Sequence, residues 1–308
     1  MKDLSVIVPL YNEEKVFKTL LDRLLAAISN INFEVILIDD GSTDGTYNLI
    51  LEASEKDKRI KGIIFSRNFG HQAAVSAGLD IADGELVLII DGDLQDPPEL
   101  IPEMIKKINT GYDVIYAVRK NRKENFLKRF AYSFFYKLMG KISKDIELPK
   151  DSGDFSLIRK KVVSAMKELG ERNRYVRGIR AWVGFKQIAF PYERDRRFAG
   201  TSKFSFRKLI KLAYDGIFSF SYFPINFISF LGGFSFIVSI IGIFLVLYFR
   251  LFTDRNIPGF ASLAIISLFL GGVQLLSIGV LGEYIKRIYD ETKRRPNYII
   301  KKTINNDK

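Results

Sequence analysis

The sequence predicts an α/β domain built on a largely parallel sheet, followed by a pair of long apolar helices. Three observations predict it. Up to Val118, short runs rich in valine, isoleucine and phenylalanine alternate with amphipathic segments, which is the rhythm of βαβ units. Acidic, glycine-containing turns follow several of those runs, at the places where a chain leaves a sheet. Near the C-terminus, Gly216 to Phe249 and Asn256 to Gly282 carry no charge, and each exceeds the roughly 20 residues that cross a bilayer.

Taken in order, Leu4 to Val8 reads as the first strand and Glu13 to Ile28 as an amphipathic helix. Phe33 to Ile38 is the second strand, Gly45 to Ser54 the next helix and Gly62 to Phe65 the third strand. A helix over Gln72 to Ala82 leads into the run Glu85 to Ile90, which ends at Asp91, and Asp113 to Val118 is a further strand. Asn125 to Gly140 sets Phe126, Phe130, Phe134 and Leu138 at four-residue spacing, with Lys128, Arg129 and Lys137 between them. That pattern suits a helix lying in a membrane interface, or one packed on the domain's own core. Phe204 to Phe223 has the same character. The first apolar span should begin near Pro224, because proline is tolerated in a helix's first turn and Tyr222 and Phe223 suit the interface. Arg250 to Arg255 leaves room only for a short turn, so the two spans form a hairpin. The expected organisation is a domain over 1–215 that includes the interfacial helices, two transmembrane helices within 216–285 (about 224–249 and 257–282), and a basic tail over 286–308.

Composition narrows the chemistry. Of 308 residues 47% are hydrophobic and the mean hydropathy is +0.05, high for a purely soluble protein. Cysteine is absent, which excludes disulfides, thiolate metal sites and cysteine nucleophiles, and the lone histidine, His71, excludes a multi-histidine metal centre. Met1-Lys2-Asp3 and the short apolar run after it lack the features of a secretory signal, so the N-terminal domain is expected in the cytoplasm. The net charge of +12 is uneven: residues 1–118 hold 11 Lys and Arg against 20 Asp and Glu, and the remainder 36 against 15. An acidic first part suits a cation-assisted site, and a basic second part suits an anionic surface. That surface is expected to be lipid rather than nucleic acid, since the basic residues adjoin the apolar spans. More positive charge on the hairpin's flanks than in its turn places both termini in the cytoplasm, in a multi-pass protein of the cell membrane.

The segment most suggestive of chemistry is Asp91-Gly92-Asp93-Leu94-Gln95-Asp96-Pro97-Pro98. Two carboxylates at i and i+2 after a strand can share one hard divalent cation at the sheet edge where open α/β folds bind ligands. An acidic turn capping the next helix has the same spacing. The first strand ends in Val8-Pro9-Leu10-Tyr11-Asn12-Glu13-Glu14 and the second in Asp39-Asp40-Gly41-Ser42-Thr43-Asp44-Gly45. Carboxylates there can accept hydrogen bonds from a base or ribose, Tyr11 can stack on a base, and glycines allow close backbone approach. Asn12 and Asp44 also suit ordinary helix caps.

Together, VPLYNEE, DDGSTDGT, SRNFGHQAA, DGDLQDPP, DSGDF and GTSKF, followed by the apolar hairpin, resemble the polyprenyl-phosphate glycosyltransferases of glycosyltransferase family 2 over nearly the whole chain. Within it, the chain is most similar to bacterial undecaprenyl-phosphate glucosyltransferases and dolichol-phosphate mannose synthases. The resemblance implies a GT-A fold, Rossmann-like, that transfers a hexose with inversion from a nucleotide sugar, UDP-glucose above others, to a polyprenyl phosphate. It puts Pro9, Tyr11, Asn12, Glu13, Asp40, Ser42, Arg67, Asp91, Gly92 and Lys203 at the nucleotide sugar, and Asp91, Asp93 and Gln95 around Mg2+ or Mn2+. Asp154 in DSGDF corresponds to the catalytic or acceptor-orienting carboxylate, with Asp151 close enough to exchange roles. Arg119, Arg122, Arg129 and Arg197 are the candidates for the acceptor phosphate. Arg67, Asn68 and His71 would lie near the donor, and His71 is given no catalytic role. Ser156 stands where an arginine is common in this group, and related proteins suggest a homo-oligomer formed through the membrane helices. Two alternatives stand beside this reading: a noncatalytic membrane scaffold or lipid-carrier binding protein, and a polysaccharide synthase of the same fold. The second lacks its Q-x-x-R-W motif here, since the only tryptophan lies in Arg180-Ala181-Trp182.

Overall fold

The structure, a computed structural model, describes residues 2–119, 152–169, 175–193, 223–252 and 259–305. Its strands are β1 (Leu4–Leu10), β2 (Phe33–Asp39), β3 (Ile60–Phe65), β4 (Leu86–Ile89), β5 (Val114–Arg119), β6 (Ser152–Arg159), β7 (Gln187–Tyr192) and β8 (Ile300–Ile304). The helices are α1 (Glu14–Ile28), α2 (Thr46–Lys56), α3 (His71–Ile81), α4 (Ile101–Ile108), α5 (Lys160–Glu168), α6 (Val176–Trp182), α7 (Phe223–Phe252) and α8 (Phe260–Thr292). All eight strands join one sheet in the order β7-β5-β6-β4-β1-β2-β3-β8. Strands β3, β2, β1 and β4 run parallel to one another, in register from Leu4 opposite Phe33 and Leu86. This is a GT-A-like α/β fold.

Both faces of the sheet are covered, so its central strands are largely apolar on both faces rather than alternating. Leu4 to Leu10 is buried at every position. On one face, Val6, Val8, Leu37 and Leu88 pack against Phe17, Leu20 and Leu24 of α1, Ile50 of α2 and Met104 of α4. On the other, Ile7, Ile36, Ile38 and Ile89 pack against Val75 and Leu79 of α3, Val163 of α5 and Ile179 of α6. Helix α3 approaches the sheet through Gly78, where a Cβ would stand 2.3 Å from Ile7 Cγ2.

Two features depart from the expected parallel sheet. Strand β6 runs antiparallel to both β4 and β5, which turns its first residues, rather than its last, toward the carboxyl ends of the parallel strands. The segment expected as a basic tail is partly structured: α8 continues to Thr292, and β8 then pairs antiparallel with β3. That pairing closes an edge that would otherwise present unpaired backbone groups.

Away from the carboxyl edge, Glu34 is 1% exposed and held from three sides. Ser5 Oγ donates to it at 2.6 Å, the Asp83 N–H at 3.1 Å, and Lys61 Nζ pairs with it at 2.8 Å. Burial pushes its pKa up, but Lys61 and the donors outweigh that and hold it below the usual carboxylate range. Glu34→Ala is expected to lower stability by about 3 kcal/mol, read by thermal melting in detergent, because Lys61 loses its partner.

Helices α7 and α8 form a separate compact unit, while residues 295–305 belong to the sheet unit. Among the described residues one helical stretch, Pro224–Phe249, is long and apolar enough to cross a membrane, with a hydropathy of 2.6. Pro224 occupies the second position of α7.

Candidate active site

Strand parity decides which side chains meet. Ile36 and Ile38 face the α3 side, so Asp40, two residues further, emerges on that side at the end of β2. Val87 and Ile89 face it too, and Asp91 follows by the same count. In the reversed strand β6, Ile158 faces the same side, so Ser156 and Asp154 do as well. Three carboxylates therefore gather at one edge of one face, at the start of α3.

Asp154 is 4% exposed and fully engaged. Arg177, on α6, donates from Nε to Oδ1 at 2.7 Å and from Nη2 to Oδ2 at 3.0 Å, a two-pronged contact. His71, the first residue of α3, places Nε2 3.0 Å from Oδ2, and Gln72 Nε2 donates to the same oxygen at 3.4 Å. Gln72 Oε1 in turn accepts the Val176 N–H at 2.9 Å, tying α3 to α6. Burial pushes the Asp154 pKa up, yet the charge of Arg177 and the bonds from His71 and Arg177 hold it well below the usual range. For His71 burial works downward, but the bond to Asp154 and the charges of Asp91 and Asp154 win, raising its pKa to about 9. The imidazole is therefore protonated at neutral pH, and Nε2 donates.

A testable pH dependence follows. Because the folded pKa of about 9 lies above the ordinary 6.5, the stabilisation from His71 is complete below pH 6.5 and is lost as pH rises through 9. Melting temperatures measured from pH 6 to 10 with a chelator present should fall more steeply for the wild type than for His71→Gln. Parallel curves would remove His71 from this linkage.

Asp91 is in a different condition. Its Oδ1 is buried and makes no hydrogen bond; His71 Nε2 stands 3.6 Å away. Burial raises its pKa, His71 opposes that, and the neighbouring charges of Asp154 and Asp93 add to it. A carboxylate oxygen removed from water without a donor is costly, and a bound cation would satisfy it. Asp93 Oδ1 accepts the Gln95 N–H at 3.2 Å, and between them Leu94, 2% exposed, adopts a φ of 57°. Backbone in this sparsely populated region is held there by its surroundings, as at many functional sites. Gly92 is required at the turn: a Cβ would stand 2.5 Å from Leu10 Cδ2 and 3.0 Å from the Pro9 carbonyl oxygen.

Among the described residues one cluster is placed to hold a metal. His71, Asp91 and Asp154 present ligand atoms within 4.8 Å of one another, whereas the sequence groups Asp91 with Asp93 and Gln95. In this cluster Arg177 already occupies both oxygens of Asp154, and the protonated His71 supplies a positive charge.

The loops after β1 and β2 are laced into one surface. The Asn12 N–H donates to Ser42 Oγ at 3.0 Å and Asn12 Oδ1 accepts the Thr43 N–H at 2.8 Å, with Asn12 at a φ of 55°. The Glu13 N–H donates to Thr46 Oγ1 at 3.0 Å and the Glu14 N–H to Asp44 Oδ2 at 3.2 Å, which caps α1, and Glu14 Oε2 accepts the Gly45 N–H at 3.0 Å at the start of α2. Asp40, 3% exposed, accepts the Phe69 N–H at 2.7 Å and the Gly70 N–H at 3.0 Å. It fixes the loop before α3, and burial, only partly opposed by these donors, raises its pKa. Gly41, at a φ of 68°, lets that loop approach: a Cβ would stand 2.4 Å from the Arg67 carbonyl carbon. Arg67 is exposed and lies over the Phe69 ring at 3.9 Å. Pro9 is buried, while Tyr11, Glu13 and Gln95 are half-buried.

Of the acceptor candidates, Arg119 ends β5 with Nη2 3.8 Å from where a Cβ on Gly153 would stand, beside Asp154 in sequence. Asp151, Arg122, Arg129, Arg197 and Lys203 lie outside the described residues, as do the expected interfacial helices. Sequence reasoning missed Arg177, and it placed His71 near the donor without a catalytic role. Arg180 was also missed: it is 1% exposed, its Nε and Nη2 lack partners, and burial lowers its pKa to about 10. Three arginines in Arg174-Tyr175-Val176-Arg177-Gly178-Ile179-Arg180 were the available signal.

Residues 5–166 match the profile of Glycosyl transferase family 2. A glycosyltransferase of Bacillus subtilis, YkcC, is 47% identical over 302 residues, covering 97% of this chain and 93% of its own. The SfII prophage-derived bactoprenol glucosyl transferase of Shigella flexneri is 42% identical over 306 residues, covering 97% of this chain and 98% of its own. Among solved structures, glucosyl-3-phosphoglycerate synthase from Mycobacterium tuberculosis, in complex with Mn2+, UDP and glucosyl-3-phosphoglycerate, covers 70% of this chain and 77% of its own, at 15% identity and a TM-score of 0.47.

Proposed function

The chain belongs to glycosyl transferase family 2, and from that premise we propose that it transfers glucose, with inversion, from UDP-glucose to undecaprenyl phosphate at the cytoplasmic face of a membrane. The observation that carries this reading is the row of Asp40, Asp91 and Asp154 on one face of the sheet edge, with Asp154 locked between two cations. Relatives named bactoprenol glucosyl transferase, matched over 97% of the chain, support the acceptor class and the sugar.

In this reading Pro9, Tyr11, Asn12, Glu13, Asp40, Ser42, Arg67 and Gly92 bind the nucleotide, and Lys203 closes over it. Asp91, Asp93 and Gln95 hold Mg2+ or Mn2+, which when bound neutralises the leaving diphosphate. Arg119, Arg122, Arg129 and Arg197 receive the acceptor phosphate. A phosphate monoester has its second pKa near ~6, so its oxygen is largely ionised at neutral pH and attacks the anomeric carbon without a strong base. The depressed pKa of Asp154 agrees, because so weak a base gains little by taking a proton. Its role is to orient: it holds Arg177 and His71 where two anionic substrates meet. The apolar α7 and the uncharged stretch of α8 form the membrane hairpin, with both termini cytoplasmic, and self-association runs through these helices.

Purified protein in detergent, given undecaprenyl phosphate and a panel of radiolabelled UDP- and GDP-sugars, should form a lipid-linked product from UDP-glucose that EDTA abolishes. Product formation in EDTA would overturn the metal assignment. Absence of product from every donor would overturn the acceptor.

A further inference from the structure

We propose that Tyr298, on the C-terminal tail, is a positioning residue for the loop that delivers His71 to Asp154. The tail returns from α8 through residues 293–299 and reaches the sheet beside β3. There the Tyr298 ring stacks on Phe65, the last residue of β3, with centroids 5.0 Å apart and planes at 12°. Phe65 meets Phe69 edge-on at 5.7 Å. Tyr298 Oη also donates to Asp80 Oδ2, near the end of α3, at 2.9 Å. One side chain thus grips the strand that enters the 66–70 loop and the helix that leaves it. The adjoining Ile299 carbonyl accepts the Ser66 N–H at 3.0 Å, so the tail backbone bonds the loop's first residue.

These contacts reach the site by a short path. The amides of Phe69 and Gly70 are fixed by Asp40, Gly70 sits at a φ of 102°, and the next residue is His71, 3.0 Å from Asp154. Edge protection of β3 does not account for Tyr298. Strand pairing over 300–304 already covers that edge, and Asn305 anchors its far end on the carbonyls of Ser54 and Ile60. Tyr298 lies outside the strand; Phe65 immediately precedes the loop, and Asp80 belongs to the helix that follows it. A segment continuous with α8 therefore holds the loop next to the reacting groups.

The test uses full-length protein in detergent, with Tyr298→Ala and Tyr298→Phe. Amide hydrogen exchange is read across the sheet unit. In Tyr298→Ala, exchange at residues 69–73 should accelerate about tenfold while β1 and β4 keep their protection, and Tyr298→Phe, which keeps the stack, should restore most of it. The turnover readout rests on the proposed transfer: kcat should fall about tenfold in Tyr298→Ala and recover most of that in Tyr298→Phe, since the altered group acts at Asp154. Unaltered exchange at 69–73, or an acceleration spread evenly over the whole sheet, would overturn the proposal. A wild type that transfers no sugar would count against the proposed function alone, because the exchange measurement decides the role of Tyr298 independently.

Discussion

Asp154→Asn should lower sugar transfer by about 10²- to 10⁴-fold, the range over which positioned catalytic groups act. The change is nearly isosteric, so the loss comes from charge. Arg177 binds both carboxylate oxygens and His71 shares one of them, and asparagine offers a single acceptor and no charge. Two cations are left facing each other without the anion between them. Removing one partner from a buried ion pair costs about 3–5 kcal/mol, so a lower melting temperature should accompany the lost activity. The control is UDP binding. Asp154 is held by Arg177, His71 and Gln72, none of which lies in the loops that follow β1 and β2, so affinity for UDP should change little. Turnover near that of the wild type would show that the cluster only stabilises the fold.

Asp91→Asn should lose transfer about a thousandfold, equivalent to about 4 kcal/mol of transition-state stabilisation, and yet fold as well as the wild type or better. The two effects have one cause. Asp91 is half-buried, its Oδ1 is shut off from water without a hydrogen bond, and the charges of Asp154 and Asp93 act against its ionised form. In the absence of a cation that charge destabilises the protein, and an amide relieves it. With a cation the same charge becomes the means of binding. Melting curves with and without Mn2+ separate these states: added metal should raise the wild-type melting temperature and leave that of the variant unchanged. Chelator-sensitive turnover at the wild-type rate in Asp91→Asn would overturn the assignment.

Much of this was legible in the sequence. The strands at Leu4–Leu10, Phe33–Asp39 and Val114–Arg119, the helices between them and the acidic turn after β4 follow from apolar periodicity and turn residues within short windows. The uncharged stretch that became α7 was visible for the same reason. The loops after β1 and β2 were found as motifs, although their lacing, in which Asp44 and Thr46 cap α1 and Glu14 reaches back to Gly45, was not.

What the sequence by itself determined is local: the α/β alternation, the carboxyl-edge position of Asp40 and Asp91, and the apolar C-terminal runs. Tertiary structure alone decided the partners. Arg177 meets Asp154 across 23 residues, His71 meets it across 83, and Tyr298 meets Asp80 across 218. The reversal of β6 places Asp154 at its strand's start beside two strand ends, and no property of the segment DSGDF encodes that direction. Periodicity is a property of neighbours along the chain, readable from a window. Contact between distant side chains depends on register and on which face each element buries, and both are fixed only when the elements pack together.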